Sequence, residues 1–194
     1  MMPNVPADIP RKKFTRDECF AIVEKGILDG KQFELLDGEI IFKVDCCRKH
    51  ITVSTLILTV LAQHFLSLNL MTRADVEIGR YDKHNDPEPD LSVLRHPIAH
   101  YVDRGIEPAS DVLLAVELSV LTLELDKTVK ANLYGKHGVR EYWIVDIEKR
   151  QLIVHRAPDT ENGGYSDIQT YAETNTVSPL EKPDAVIRVA DLLP

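Results

Sequence analysis

Cysteine is scarce in this sequence, with three residues in 194, and an odd number cannot be fully paired in disulfides. This usage is typical of a reducing compartment, so we expect a cytoplasmic protein rather than a disulfide-stabilised secreted one. Cys46 and Cys47 are adjacent, and no second pair of potential ligands has zinc-site spacing. A structural zinc site is therefore not expected.

Long apolar runs are also absent, since no stretch approaches the roughly 20 residues needed to cross a bilayer. Residues 1–13 contain three prolines and no apolar segment like the centre of a secretory signal. We therefore expect a flexible N-terminal tail over residues 1–13. Residues 14–194 are predicted to form a single domain, which is large enough to bury a full hydrophobic core.

Positive charge is in deficit, because 23 Lys and Arg residues face 31 Asp and Glu residues and give a net charge of −8. This balance opposes strong non-specific binding to DNA, which depends on lysine and arginine neutralising phosphates. It does not exclude a nuclease, because a bound metal ion would change the local field.

The most informative feature present is an unbroken apolar run over residues 112–116, followed directly by Glu117. Such a run is typical of a strand buried on both faces, as in a parallel sheet. A predicted helix and the strand Glu141–Asp146 complete a β–helix–β unit. Glu117 then lies at the carboxyl end of its strand, where open α/β sheets place ligands. A buried acid there needs a metal ion, a cation or dedicated donors.

The predicted helix carries two stripes of residues four positions apart. Asp126, Lys130 and Tyr134 share one face, so Lys130 can extend its side chain toward Glu117 from the margin of a buried surface. The stripe beside it, predicted to pack on the sheet, is Leu125, Val129 and Leu133.

Asp90 follows Pro89 and opens another short apolar run, residues 91–94. We therefore predict that Asp90, Glu117 and Lys130 converge at one edge of the sheet. Two carboxylates and one ammonium group indicate a divalent-metal site with a lysine beside it. The alternative is a buried salt bridge between Glu117 and Lys130 that holds helix to strand, and the spacing alone does not decide between them.

The N-terminal half predicts a helix and a hairpin. A capping box at Thr15 begins a helix whose predicted apolar face is Phe20, Val23 and Ile27. Residues 31–43 predict a hairpin with Asp37 and Gly38 in a primed turn. Its predicted core face is Phe33, Leu35, Ile40 and Phe42. Glu34 lies on the other face, where the pattern alone favours a solvated residue.

A helix is predicted from His50 to about residue 70, with an apolar stripe of Val53, Ile57, Val60 or Leu61, and Leu68. His50 is either a cap-region residue or a site residue. A strand is predicted over residues 74–81. The acidic residues 82–88 are interpreted as a solvated loop rather than metal ligands. Residues 95–110 are expected to be irregular. Further strands are predicted over residues 151–157 and 165–171, and a last short strand and turn over residues 185–193.

Several short motifs occur in an order that resembles one protein family. They are residues 33–40 (FELLDGEI), Pro89-Asp90, residues 117–119 (ELS), the triplet Asp126, Lys130 and Tyr134, and residues 138–146 (GVREYWIVD). The order resembles the Uma-two family, a bacterial group of predicted endonucleases within the PD-(D/E)xK nuclease superfamily. The resemblance covers residues 14–194, and His50 falls where a histidine usually follows the hairpin.

The resemblance implies an α/β restriction-endonuclease-like fold, a mixed central sheet flanked by helices. It implies hydrolysis of nucleic-acid phosphodiester bonds, with DNA as the expected substrate, Mg²⁺ or Mn²⁺ as cofactor, and a homodimer. The implied catalytic residues are Asp90, Glu117 and Lys130, with Asp90 and Glu117 as metal ligands. The implied supporting residues are Glu34, His50, Ser119, Asp126 and Tyr134.

The sequence departs from the superfamily pattern in one respect. The E-x-K motif places its lysine two residues beyond the acid, and Ser119 occupies that position here. Lys130 would supply the charge from the following helix instead. The missing lysine and the negative net charge also leave open a catalytically inactive relative that acts as a dimeric binding or regulatory protein.

Overall fold

Helices and strands alternate along the chain in this computed structural model, which describes residues 9–28, 30–43, 48–72, 76–77, 82–101 and 107–194. Cys46 and Cys47 lie outside the described residues. The helices are α1 (Arg16–Glu24), α2 (Arg48–Ala62), α3 (Leu123–Leu125) and α4 (Ala131–Lys136). The strands are β1 (Phe33–Leu36), β2 (Glu39–Phe42), β3 (Leu70–Thr72), β4 (Val76–Glu77), β5 (Leu91–Leu94), β6 (Glu107–Pro108), β7 (Val112–Ser119), β8 (Glu141–Asp146), β9 (Gln151–Pro158), β10 (Tyr165–Ala172), β11 (Thr176–Val177) and β12 (Ile187–Arg188).

A mixed sheet of six strands forms the centre of the molecule, in the order β10-β9-β8-β7-β5-β3. β7 and β8 are parallel, with Glu117 opposite Ile144, and the other neighbouring pairs are antiparallel. The predicted α/β class and β–helix–β unit are confirmed. β8 has the predicted bounds, and β9 and β10 each extend one residue beyond theirs.

Each face of the sheet forms its own hydrophobic core. One core contains the buried Trp143 of β8 and a stripe of three buried residues from α2, namely Val53, Ile57 and Leu61. The other core contains Tyr134 of α4 and Tyr142 of β8. The three aromatic side chains are fully buried, so they pack in the cores and are not exposed for stacking on a base. Glu117 belongs to the second face, because successive strand residues alternate and Leu118 belongs to the first.

α2 is shorter than the sequence predicts. It ends at Ala62, and a 3₁₀ turn (Ser67–Asn69) leads into β3, where Leu70 pairs with Val93. Leu70 and Met71 therefore join the sheet rather than continue the helix. Of the strand predicted over residues 74–81, only β4 lies within the described residues, and it pairs with β6 in parallel.

α1 begins where predicted, with the complete capping box of Thr15 and Glu18. Its predicted apolar face is wrong, because Phe20 is 68% exposed and Val23 and Ile27 are also exposed. Helical spacing identified the stripe, but nothing in the described residues covers it, and the buried residue of α1 is Cys19.

The hairpin of β1 and β2 forms in the predicted register, with Asp37 and Gly38 at positive φ as a primed turn requires. Its core face is only partly as predicted, because Leu35 is buried but Phe42 is 49% exposed. Glu34, predicted to be solvated, is buried instead. The 82–90 segment covers that side, and Asp86 pairs with Leu35 through backbone hydrogen bonds in both directions.

The helical segment between β7 and β8 is not a continuous α-helix. A π-helical turn (Asp126–Lys130) separates α3 from α4. A π turn inserts an extra residue and rotates the rest of the helix, so the stripe predicted to pack on the sheet is broken. Val129 is 40% exposed, whereas Lys130, placed by the sequence at the margin, is buried.

The remaining segments agree closely with the sequence. Residues 95–101 are irregular apart from a 3₁₀ turn (Ile98–His100), and the C-terminal region contains β12 and a 3₁₀ turn (Val189–Leu192). Within the part of the chain that the structure describes, no helix has the length and apolar character that crossing a membrane requires.

Candidate active site

Lys130 lies at the centre of a buried group of carboxylates, and its closest strand partner is Glu117. The ammonium Nζ donates to Glu117 Oε1 at 2.9 Å. β7 holds Glu117 on the sheet face that the helical segment covers. The π turn directs the Lys130 side chain toward that face, where it meets Glu117. The predicted contact between these two residues is confirmed, and it is a buried ion pair.

Glu34 reaches the same lysine from the hairpin. Its two carboxylate oxygens lie 3.0 and 2.9 Å from Lys130 Nζ, and its Oε1 also accepts a hydrogen bond from the backbone N–H of Glu88 at 2.8 Å. The interpretation of Glu34 as a solvated strand residue is therefore wrong, and the alternative that it points into the site is confirmed by position.

Asp126 and Tyr134 complete the inner group. Asp126 Oδ1 is 3.9 Å from Lys130 Nζ, and its Oδ2 accepts from the Thr122 hydroxyl at 2.7 Å. The Tyr134 hydroxyl donates to Glu117 Oε1 at 3.2 Å. Asp126, Lys130 and Tyr134 share one face, as predicted, but this face turns toward the sheet, whereas the sequence had placed Lys130 at its margin.

Asp90 joins the site from the loop before β5. Its Oδ2 accepts from the backbone N–H of Leu118 at 2.8 Å, which places its carboxylate beside the strand residue that follows Glu117. Its Oδ1 is 3.2 Å from His50 Nε2. The side chains of Asp90 and His50 are 12% and 19% exposed, compared with 5% for Glu117, so this is the more accessible side of the group. Asp90 is close enough to Glu117 and Lys130 for their charges to affect one another's pKa values, as the sequence predicted. His50, whose role was left open, joins the group through Asp90.

Ser119 occupies the position of the superfamily lysine and is buried on the same strand face as Glu117. Its Oγ and the Asp126 Oδ1 are buried atoms that lack a hydrogen-bond partner among the described residues. Buried polar atoms are rarely left without a hydrogen bond, so these two oxygens have acceptor capacity for a further donor or cation.

Lys43 and Glu88 are site residues that the sequence did not identify. Lys43 Nζ contacts Glu88 Oε2 at 2.6 Å and lies 3.8 Å from Glu34 Oε1, so the two residues extend the ion pairs outward. Glu88 was interpreted as part of a solvated loop, which is wrong, because its side chain is 16% exposed and paired. The available signal was the position of Lys43 directly after β2, beside the buried hairpin face.

The acidic loop of residues 82–88 is not a metal centre of its own. Asp82 accepts hydrogen bonds from Asn85, and His84 contacts the carbonyl of Phe14. In the described ranges, no group of three or more His, Cys, Asp or Glu side chains has the arrangement of a metal cage. A cation at the site would therefore have at most two protein carboxylates and would need water or substrate oxygens as its other ligands.

The electrostatics of the group result from excess negative charge in a buried place. Burial raises the pKa of Glu117 well above its ordinary value, against the effect of Lys130, and the neighbouring carboxylates raise it further. The pKa of Asp126 is raised for the same reasons. The pKa of Lys130 is raised because its acidic partners outweigh its burial. Burial also raises the pKa of Asp90, but the hydrogen bond and charge of His50 and the amide of Leu118 bring it below the ordinary value.

Comparisons with known proteins identify the family of the chain and a structure with a similar fold. The sequence profile of the Uma2 (Uma-two) family, described as "Putative restriction endonuclease", matches residues 18–190. The chain belongs to the Uma2 family. The match includes the hairpin, Asp90, Glu117 and the segment with Lys130, so this Uma2 protein carries its candidate site within the family region.

A solved structure shares the fold of this Uma2 protein. It is described as "a putative nuclease belonging to DUF820 from Anabaena variabilis ATCC 29413", with a TM-score of 0.66 and 16% identity. The similarity covers 92% of this chain and 97% of the other. At this identity the comparison shows the fold alone. No curated protein matches the sequence.

Proposed function

We propose that the protein is a metal-dependent endonuclease that hydrolyses phosphodiester bonds in nucleic acid, with DNA as the first substrate to test. The observation that carries the proposal is the convergence of three carboxylates, those of Glu34, Glu117 and Asp126, on the buried ammonium of Lys130, with the Asp90 carboxylate held beside them by the backbone N–H of Leu118. Membership of the Uma2 family supports the same conclusion.

The donor set fits Mg²⁺ or Mn²⁺. Asp90, directly before β5, and Glu117 of the neighbouring β7 would supply the oxygen ligands, and a magnesium ion that keeps several waters needs only one or two carboxylates. The unpartnered Ser119 Oγ and Asp126 Oδ1 and the surplus of carboxylates over cations favour an added positive charge. When bound, such an ion acidifies a water and neutralises charge on the phosphate.

Lys130 acts in this proposal as a fixed positive charge. Its pKa is raised by the carboxylates around it, so it keeps its proton at neutral pH and does not serve as a base. It would offset negative charge that develops on the phosphate. Glu34 and Asp126 hold its ammonium in place, and Tyr134 fixes the orientation of Glu117 by donating to its Oε1.

The function is tested by cleavage of labelled DNA and RNA with Mg²⁺ or Mn²⁺. We expect the wild type to cleave, and Asp90→Ala and Lys130→Ala to lose activity. Lys127→Ala is the matched control, because Lys127 lies in the same π turn and its side chain is 42% exposed. Equal activity in all four proteins would reject the proposal.

A second candidate function is a catalytically inactive binding or regulatory protein. It is favoured by the closed ion-pair network, because the side chains of Glu34, Glu117 and Lys130 are each only 5–6% exposed. Calorimetry with Mn²⁺ separates the candidates. Mn²⁺ binding by the wild type that is lost in Asp90→Ala supports the nuclease. Absence of Mn²⁺ binding by the wild type supports the catalytically inactive protein, in which Glu117 and Lys130 form a structural salt bridge.

We also propose a homodimer with a cytoplasmic site of action. The exposed apolar face of α1, with Phe20, Val23 and Ile27, supports self-association, and the low cysteine content supports the location. Sedimentation of the wild type and Phe20→Glu tests the dimer. A monomeric wild type would contradict the dimer. A Phe20→Glu variant that remains fully dimeric would contradict the use of this face.

A further inference from the structure

A pocket of about 250 Å³ opens between the C-terminal end of α1 and the start of β1. Its lining combines apolar, aromatic, cationic, amide and acidic groups, namely Val23, Leu28, Lys31, Gln32, Phe33 and Glu88. Pockets for drug-sized ligands usually measure about 300–1,000 Å³. This pocket therefore suits a single flat ring system, and a nucleic-acid duplex is far too wide for it.

The pocket adjoins the candidate active site through Glu88. The backbone N–H of Glu88 donates to Glu34 Oε1, and its carboxylate contacts Lys43 at 2.6 Å. Phe33 directly precedes Glu34 in β1, so the two side chains point to opposite faces of the same strand. The pocket therefore lies across β1 from Glu34, and Glu88 is the residue that links the pocket to the candidate active site.

The lining contains one cation, Lys31, and one acid, Glu88, so it has no net charge and favours an uncharged base over a phosphate group. A phosphate would meet the Glu88 carboxylate in a protein of net charge −8, and repulsion between them is unfavourable. A nucleobase is flat and uncharged, and it presents N–H donors at its edge. Phe33 offers a ring for stacking. The Glu88 carboxylate retains acceptor capacity beyond its contact with Lys43, because each oxygen can accept more than one hydrogen bond.

We propose that this pocket binds one unpaired base of the substrate, next to the bond that the candidate active site cleaves. The proposal rests on the proposed function for the identity of the substrate. A base within a duplex cannot enter without being unstacked, so single-stranded or locally unpaired nucleic acid is bound more tightly than duplex. Glu88 accepts from the exocyclic amino group of cytosine, whereas thymine presents an acceptor at that position, so cytosine is preferred over thymine.

The test is fluorescence anisotropy with labelled 12-mers of deoxycytidine and deoxythymidine and with a mixed-sequence duplex, in Ca²⁺ and in EDTA. The variants are Phe33→Ala, Phe33→Leu and Glu88→Gln. The matched control is Phe42→Ala, because Phe42 is the cross-strand partner of Phe33 and does not line the pocket. Circular dichroism verifies folding, and Phe33→Leu keeps an apolar side chain should Phe33→Ala not fold.

We expect loss of the Phe33 ring to weaken single-strand binding by roughly 5- to 100-fold, the range for one base–aromatic stack. Phe42→Ala should change binding less than about 2-fold. The preference for cytosine should be about 5-fold and should disappear in Glu88→Gln. Equal binding by the wild type and both Phe33 variants would overturn the proposal. The proposal would also be overturned by equal losses of binding in the Phe33 and Phe42 variants, or by a wild type that does not bind single strands. Phe33 variants that change only the oligomeric state in sedimentation would overturn it too.

Failure of the proposed nuclease function can be distinguished from failure of the proposed base pocket. Asp90→Asn should abolish cleavage and retain binding that depends on Phe33. A wild type that binds single strands through Phe33 but never cleaves them would reject the nuclease and keep the pocket. Cleavage that is insensitive to Phe33 would keep the nuclease and reject the pocket.

Discussion

Replacing Lys130 with methionine tests the charge at the centre of the site. Methionine keeps most of the side-chain volume and removes the ammonium that contacts Glu117 and Glu34 at 2.9 Å. These carboxylates and that of Asp126 then remain in a buried place without their cation. The change therefore isolates the electrostatic contribution of Lys130 from its packing.

The expected loss of stability is large and depends on pH. Removing one partner of a buried ion pair costs about 3–5 kcal/mol, which corresponds to a fall in Tm of about 6–20 °C in a domain of this size. Without Lys130, the pKa values of Glu117 and Asp126 rise further above those of the unfolded chain. The folded variant then binds more protons than the unfolded one, so its stability falls as pH rises from about 4.5. The deficit should be greatest at about pH 8 and smallest near pH 5.

Urea unfolding can be followed by the fluorescence of Trp143, the only tryptophan, which is fully buried. Lys127→Met is the control, because Lys127 belongs to the same turn, is 42% exposed and lies 3.8 Å from Glu124. It should change the free energy of unfolding by less than about 0.5 kcal/mol. A loss below about 1 kcal/mol in Lys130→Met at pH 8, or the same loss at pH 5, would refute the charge-compensation argument.

Three further predictions concern metal binding and packing. Asp90→Asn should lower cleavage at least about 100-fold while leaving the Tm within a few degrees, as activity assays and calorimetry would show; retained activity would remove Asp90 from the mechanism. Because burial raises the pKa of Glu117, Mn²⁺ competes with its proton, so affinity should increase with pH and binding should release protons in calorimetry, and a pH-independent affinity would count against this ligand. Gly135→Ala should destabilise the fold by about 3 kcal/mol or more, because its Cβ would lie 1.9 Å from the carbonyl oxygen of Gly164, whereas Gly26→Ala meets nothing within 4 Å and carries only the strain of its φ of +67°, about 1–2 kcal/mol; equal Tm values for the two variants would disagree with this packing.

The sheet could be predicted because its strands carry strong local signals. The apolar run before Glu117 and the apolar run within Glu141–Asp146 predict strands buried on both faces of a sheet. Placing Lys130 near Glu117 needed only the helix period and the common edge of two parallel strands. The roles of these residues in metal binding and catalysis stay predictions.

The failures share one cause, which is that local patterns do not say what covers a face. Alternation put Glu34 opposite Leu35 correctly, but only the distant 82–90 segment and Lys130 decide that Glu34 is buried. Likewise, the spacing of Val129 assumed a regular helix, and the π turn changed its orientation. Lys43 and Glu88 were missed because their pairing joins positions 45 residues apart.

The wide sequence separation within the candidate site has a consequence for how the chain folds. Glu34 and Lys130 are 96 positions apart, whereas Glu117 and Lys130 are 13 apart. Closing the longer loop costs more chain entropy, so the lysine acquires its β7 partner earlier than its hairpin partner. A nascent or partly folded chain would therefore have Lys130 paired with Glu117 but not yet with Glu34. The complete candidate site would form only when the hairpin packs against the rest of the domain.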